Sequence, residues 1–339
     1  MDFKTYLVRR LTAMAITFWG ILTLVFLIAR IVPGNPAAVI AGAKATEERI
    51  EQIRDAYGLN DPLYEQYFDF LYGLIVHQDL GQSIATQRPV AQEIVMRFPA
   101  TFELTTTAVL IALGIGVPLG IASAIYKDKS LDHGSRFLAI SGVSIPQFWM
   151  AILVQLLFYS YLGWLPAGGR FPDTMVRPAN VTGMLLIDSL LSVRLNAFLA
   201  TGAHLLLPAT VLSLGTLAQT TRITRSSMIE TLNADYIEWS RAHGFTGKII
   251  LLKHALRNAI MPVITAVGLS YGLLLGGSVV IEIVFNIRGL GLFLYNAVLT
   301  TDFNGVLGVT IVFALGYLIV NFLVDVLHTY VNPEVEVGE

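Results

Sequence analysis

Apolar residues gather in six long continuous blocks, near 11–32, 101–126, 137–162, 204–221, 259–285 and 305–327, and charge and proline return between them. Each block is close to the roughly 20 residues a helix needs to cross a hydrocarbon core. None alternates with the period of two that a barrel strand would show, and lipid requires each segment to satisfy its own backbone. The pattern predicts an all-α integral membrane protein with six transmembrane helices. Gly116 and Gly120 in the second block, and Gly268, Gly272 and Gly276 in the fifth, recur every fourth residue, a spacing that lets helices approach closely. Pro118 and Pro146 are expected to kink the second and third helices.

The stretch 33–100 reads as a small helical external cap. Thr46-Glu47-Glu48 with Ile50, Ile53 and Tyr57 predicts a capped, acid-fronted helix stopped at Gly58. Asp61-Pro62 opens a second helix, with Leu63, Tyr67, Phe70, Leu71 and Leu74 on one face, and Arg88-Pro89 leads a third toward the membrane. Its few core positions suit packing on a bundle better than independent folding. Within the loop 163–203, the apolar run 181–193 is too short to span and is interrupted by Asp188, so an external interfacial helix is expected. The chain thus divides into an N-terminus with the first span (1–32), the cap (33–100), a five-helix core (101–327) and a tail (328–339). Within the core lie the external loop 163–203 and a charged loop 222–258.

Basic residues orient the bundle. Lys4, Arg9, Arg10, Lys127, Lys129, Arg136, Arg222, Arg225, Arg241, Lys248, Lys253 and Arg257 fall on one side, against Arg170, Arg177, Arg194 and Arg288 in the short loops of the other. The positive-inside rule then places both termini and the loop 222–258 in the cytoplasm. The first apolar run is too long for a removed signal peptide and reads as an uncleaved span.

Composition sharpens the class. The chain is 55% hydrophobic and 14% charged, with a mean hydropathy of +0.66, an excess of apolar surface that no single soluble core could hide. Its net charge of −2 gives no electrostatic case for nucleic acid. The lack of cysteine excludes disulfides and thiolate chemistry. No phosphate-binding G-x-x-x-x-G-K-[ST] loop occurs, since Gly247-Lys248 is followed by Ile249, and no H-E-x-x-H metal motif is present. The expectation is a chain that is not an enzyme and holds no cofactor or metal of its own. Ser141, Ser144, Gln155, Ser270 and Ser278 are polar groups in apolar blocks and so candidates to line a translocation path. Glu282, Asp325 and Arg30 fall near block ends, from which they would reach an interface.

The segment 222–262 stands apart. Residues 233–243 suit a short helix, with Asn233 or Asp235 as N-cap and Gly244 as its stop. By itself this is either a solvated basic loop touching lipid headgroups or a joint for a partner.

A series of short motifs decides between these. In order they are Arg9-Arg10-Leu11, Ile31-Val32-Pro33-Gly34-Asn35-Pro36, Gly58-Leu59-Asn60-Asp61-Pro62, Gln66-Tyr67 and Asp79-Leu80-Gly81-Gln82-Ser83. Then come Thr224-Arg225-Ser226-Ser227-Met228, Asp235-Tyr236-Ile237, His254-Ala255-Leu256-Arg257-Asn258-Ala259, Gly289-Leu290-Gly291, Asn321-Phe322-Leu323-Val324-Asp325 and Asn332-Pro333. Over nearly its whole length the chain resembles the permease subunits of ATP-binding-cassette importers, in the dipeptide, oligopeptide, glutathione and nickel branch. The long cap resembles that of the subunit with the larger external part.

The resemblance implies a type I importer permease that forms half of a path for peptides or similar small solutes. It implies a second homologous permease subunit, two ATPase subunits carrying ATP and magnesium, an extracytoplasmic substrate-binding protein and surrounding lipid as partners, and no nucleic acid. The central helix looks like the coupling helix that sits in a groove of the ATPase, which assigns Asp235, Tyr236, Glu238, Ser240, Arg241, Ala242 and Gly244 to that joint. Glu238 and Gly244 fall on the glutamate and glycine of the family motif, and Ser240 on one of its small residues. Trp239 departs from the small residue expected after the glutamate, and Arg288 stands where relatives usually carry proline. The competing class, an ion-gradient-driven secondary transporter, would call for a mid-membrane carboxylate or symmetric discontinuous helices.

Overall fold

The computed structural model describes residues 3–31, 37, 41, 45–56, 58 and 60–331. The motif residues at 32–36, Tyr57, Leu59 and the tail from 332 lie outside the described residues, as do the side chains of Arg30, Ile53, Ser141 and His328. Every named element is helical: α1 Phe3–Ile31, α2 Glu47–Ala56, α3 Leu63–Tyr72, α4 Val90–Ile125, α5 Ser130–Ser144, α6 Gln147–Gln155, α7 Leu185–Leu191, α8 Leu195–Leu232, α9 Asp235–Ala242, α10 Leu256–Val284, α11 Leu290–Leu299 and α12 Phe303–Val331. Wider π-type turns extend α3 to His77, extend α6 to Tyr161 and lead into α10 from Ile250.

Five of these stretches are long and apolar enough to cross a membrane: Leu7–Ile28, Val90–Ile125, Leu195–Leu232, Gly247–Val284 and Phe303–Leu327. The remaining expected block, 137–162, is divided between α5 and α6. The kink expected at Pro146 is a full break. Proline disfavours helical geometry in the residue before it, and Ile145 is extended at φ −94°, ψ 129°. Three further expectations change. The helix led by Arg88-Pro89 is no separate cap helix but the first turns of α4, which runs 36 residues without interruption. The interfacial helix expected over 181–193 contracts to the seven residues of α7. The fourth block extends from its expected 204–221 to the 38 residues of α8, well beyond the roughly 20 that lipid requires.

The core lies where α4, α8 and α10 meet, with α6 against one side. Leu104, Leu205, Leu212, Val263, Ile281 and Phe285 are buried there together. The glycine spacing serves this packing. A Cβ on Gly120 would sit 2.5 Å from the Thr224 Cβ and 2.8 Å from the Thr221 carbonyl oxygen, so α4 and α8 close to backbone contact. Gly268 and Gly272 receive Val324 and Tyr317 of α12, whereas nothing crowds Gly276. The segment Gly268-Leu269-Ser270-Tyr271-Gly272 also spells G-x-S-x-G, but it lies inside α10, with Ser270 bonded to the Ala266 carbonyl. It therefore lacks the strand-to-helix turn a nucleophile needs.

In the cap, Thr46 Oγ1 accepts the Arg49 N–H and Gly58 takes φ +59°, as expected for the start and stop of α2. Phe70, Leu71 and Leu74 pack on Leu22 of α1 and on Leu307 and Ile311 of α12, and Tyr67 bonds Thr23 at 2.6 Å. Leu63 does not join them and stays exposed.

Buried carboxylates hold the segments that leave the bundle. Glu103 of α4 accepts Arg170 Nη2 and the Leu186 N–H, which docks the 163–203 loop. Asp188 accepts bonds from Thr182 and the Gly183 N–H. Burial alone would raise its pKa, but these bonds outweigh it and hold the carboxyl below the usual range. Asp302 is buried against Ser83. Glu282, expected to reach an interface, is instead fully buried. The chain turns back after α10, and α11 lays the Leu292 N–H on Glu282 Oε2 at 2.9 Å. Asp325 pairs with Arg10 at 3.1 Å, joining α12 to α1.

Candidate functional site

The short helix α9 follows α8 after two residues, too few for it to leave the bundle end. Its expected capping needs correction. Asn233 closes α8, with its N–H on the Glu230 and Thr231 carbonyls, and Asp235 is already inside α9. Ala234 therefore occupies the N-cap position, with no side-chain cap. The other end matches expectation. Gly244 takes φ +78°, its N–H bonds the Arg241 carbonyl, and the Phe245 N–H bonds the Ser240 carbonyl. These paired bonds are the Schellman closure, which requires a left-handed residue at this position.

α9 presents two unlike faces. Inward, Ile237 is fully buried among Ala124 of α4, Met228 of α8, and Ile250, Ala255 and Ala259 leading into and along α10. Burying an isoleucine stabilises by roughly 1.5–3 kcal/mol. Ser240 is buried beside it, its hydroxyl on the Tyr236 carbonyl at 2.7 Å. The Tyr236 hydroxyl accepts Asn258 Nδ2 at 2.8 Å, linking the first turn of α9 to α10. Outward, Asp235, Glu238, Trp239, Arg241, Ala242, His243 and Gly244 are all exposed. Trp239 and His243 stack at 3.7 Å between ring centroids, and His243 Nδ1 lies 2.9 Å from the Trp239 carbonyl oxygen. The outcome is a rigid platform with an aromatic, mixed-charge outer surface, anchored to three long helices through one apolar side chain.

Behind the platform lies a cluster that sequence reasoning missed. Asp132, fully buried at the first turn of α5, accepts Arg225 Nε at 2.6 Å and Nη2 at 2.8 Å from α8. It also accepts Arg136 Nη2 at 2.8 Å, Ser123 Oγ of α4 at 2.5 Å and the Asp128 N–H at 3.0 Å. The bidentate Arg225 guanidinium, against the opposing effect of burial and with help from Ser123, Asp128 and Arg136, holds the Asp132 carboxyl well below the usual carboxylate range. The available signal was the Asp132/Arg136 spacing of four, which is too common to single out.

The five path candidates do not form one cluster. Ser278 is buried at the far end of α10, bonded to the Leu275 carbonyl and Glu282. Ser270 bonds Gln219 Oε1 at 3.2 Å as well as its own helix. Gln155 Nε2 bonds the Ala167 carbonyl at 2.5 Å and borders the outer loop. Ser144 is exposed just before the break at Pro146, and the side chain of Ser141 lies outside the described residues. Among the described residues no group of three or more His, Asp or Glu side chains could hold a metal.

The description "Binding-protein-dependent transport system inner membrane component" matches residues 116–337, and its N-terminal counterpart matches 3–105. The chain is 41% identical to the probable D,D-dipeptide transport system permease protein DdpB of Escherichia coli strain K12, covering 100% of this chain and 99% of that protein. It is 37% identical to the dipeptide transport system permease protein DppB of the same strain, over 97% and 98% of the two chains. It is 36% identical to the glutathione transport system permease protein GsiC of Pectobacterium atrosepticum, again over 97% and 98%.

Proposed function

We propose that this chain, which belongs to the family of inner membrane components of binding-protein-dependent transport systems, uses α9 as the joint to separate ATPase subunits. The chain is a multi-pass inner membrane permease subunit of an ATP-binding-cassette importer, and its family works with ATPase and substrate-binding partners. The finer assembly is our reading: two ATPases binding ATP and magnesium, a second homologous permease completing the path, an extracytoplasmic binding protein at the cap, and both termini in the cytoplasm. Short peptides are the solute we assign, following the names of the dipeptide and glutathione relatives.

The observation that carries the joint is the asymmetry of α9. Among the described residues no element covers its exposed outer face, while Ile237 seats the inner face on α4, α8 and α10. A load applied to Glu238, Trp239 and Arg241 passes through two residues to the end of α8 and through Asn258 to α10. Asp132 couples the same end of α8 to α4 and α5, so these helices move as a unit rather than bending singly. Translocation is assigned to the interface with the partner permease, with Ser141, Ser144, Gln155, Ser270 and Ser278 as residues to test. The test of the joint compares Glu238→Ala and Gly244→Asp with wild type, in membranes carrying the whole importer. Retained membrane insertion with loss of ATPase copurification or uptake supports it. Normal binding and uptake in both variants would reduce α9 to a solvated loop.

A further inference from the structure

A cavity of about 1000 Å³ opens at the end of the bundle opposite α9, at the upper limit of the roughly 300–1,000 Å³ typical of small-solute clefts. Its wall joins the start of α4, the end of α6, the 167–188 part of the outer loop and the turn after α10. Arg88, Arg97, Arg170, Arg177 and Arg288 line it, against Asp173 and Asp188. The acidic groups nearby are largely engaged. Glu93 takes Arg97 Nε at 2.6 Å, Glu103 takes Arg170, and Asp188 is filled by Thr182 and Gly183. Among the described residues, Arg177 and Arg288 have neither an ion pair nor a side-chain hydrogen bond. Arg170 Nε is buried with no acceptor. Met96, Phe171 and Phe285 also line it, with Met96 the exposed one of the three.

We propose that this cavity is an entry site for the carboxylate of a peptide solute, held by Arg177 and Arg288 while its side chains rest on the apolar wall. The proposal rests on the reading of the chain as a peptide importer permease and adds to it a binding chemistry. Unpaired guanidiniums in a concave, partly apolar site fit a carboxylate in charge and in fork geometry. Both arginines are exposed, so a solute arriving from outside the bundle can reach them. Arg288 lies on the turn between α10 and α11, so that turn offers a donor to the cavity.

The test uses the complete importer in proteoliposomes with its loaded binding protein. It compares wild type, Arg177→Gln/Arg288→Gln and Arg177→Lys/Arg288→Lys for uptake of alanyl-alanine. Maximal uptake should fall about tenfold or more in the Gln pair, the size of one lost charge-assisted hydrogen bond. The apparent KM for the binding protein should stay within about twofold, and the Lys pair should recover part of the uptake, because the charge returns without the fork geometry. An increase in that KM with maximal uptake intact would overturn the proposal and make the arginines a docking surface for the binding protein. Unchanged uptake and KM would overturn it too, as would a Lys pair as defective as the Gln pair. Loss of binding-protein-stimulated ATP hydrolysis in wild type itself would instead count against the importer reading.

Discussion

Asp132 and Glu282 are two fully buried carboxylates, one bonded to α4 at Ser123 in its last turn and the other at Thr101 toward its start, and they hold the bundle by different chemistry. Asp132 is met by two guanidiniums, a hydroxyl and a backbone N–H. Glu282 is met by neutral donors alone: Thr101 at 2.7 Å, Ser278 at 3.2 Å and the Leu292 N–H at 2.9 Å. Beside α9, where force is proposed to enter, the helices are fastened by charge that resists separation in a low dielectric. At the far end the helices meet at Glu282 through short-range bonds and close packing, while the ion pairs there, Glu93–Arg97 and Glu103–Arg170, lie within α4 or hold the outer loop. A Cβ on Gly289 would lie 2.5 Å from both Glu282 Oε2 and Thr101 Oγ1. The two ends should therefore fail differently.

The largest difference is expected from removing the charges. Asp132→Ala leaves the partly buried Arg225 without its counter-ion and should destabilise by up to about 3–5 kcal/mol. The checking measurement is thermal unfolding in detergent, and a loss below about 1 kcal/mol would show the cluster to be solvated, like a surface pair.

Next is the anchor of α9, at the Asp132 end. Ile237→Ala should cost about 2–5 kcal/mol, through the lost methyl groups and the cavity left behind. It should also uncouple ATP hydrolysis from uptake while the ATPases still copurify, because the outer face is untouched. Loss of copurification would mean that Ile237 shapes the contact rather than transmitting load.

A smaller effect is expected at Gly244→Ala, about 1–2 kcal/mol from the left-handed backbone alone, since nothing lies within 4 Å of the added Cβ. Gly244→Asn should recover part of it, because asparagine tolerates that conformation, and equal losses in the two would argue against the backbone explanation.

Glu282→Gln should cost only about 1 kcal/mol, because the Thr101 and Ser278 hydroxyls can reorient to an amide and no cation is stranded. A loss matching that of Asp132→Ala would erase the contrast between the ends.

The smallest effect is with pH. The folded-state pKa of Asp132 is depressed, so its contribution is fully present above the unfolded value and is lost only as pH falls through the folded one. The stability gap between wild type and Asp132→Ala should thus be flat from about pH 8 to about pH 5. A gap that changes within that window would mean a folded-state Asp132 pKa raised into it, the reverse of the depression expected.

The membrane blocks were legible because lipid imposes one strong rule, and an apolar run long enough to span has few other uses. The stop of α9 at Gly244 was legible for a similar reason, since few residues tolerate its backbone. The start of α9 was not, because Asn233 is an equally good end for α8, and only the two-residue connection made it one. The continuity of α4 back to Val90 was hidden because Glu93 and Arg97 look solvent-facing in sequence, yet they pair with each other beside Phe293. Glu282 was misplaced for a related reason. Proximity to a block end indicates an interface only if nothing folds back over it, and α11 does.

The sequence by itself determined that the chain is a helical membrane protein, where its long helices lie, and through its ordered motifs which family it resembles. These follow from local composition and from spacing along one chain. Only the tertiary structure decided which charges are partners, that Ile237 is the buried side of α9, and that five arginines from separate segments share one cavity. Those outcomes depend on residues such as Ser123, Asp132 and Arg225, distant in the chain and brought together by helix packing, and no local pattern encodes that convergence.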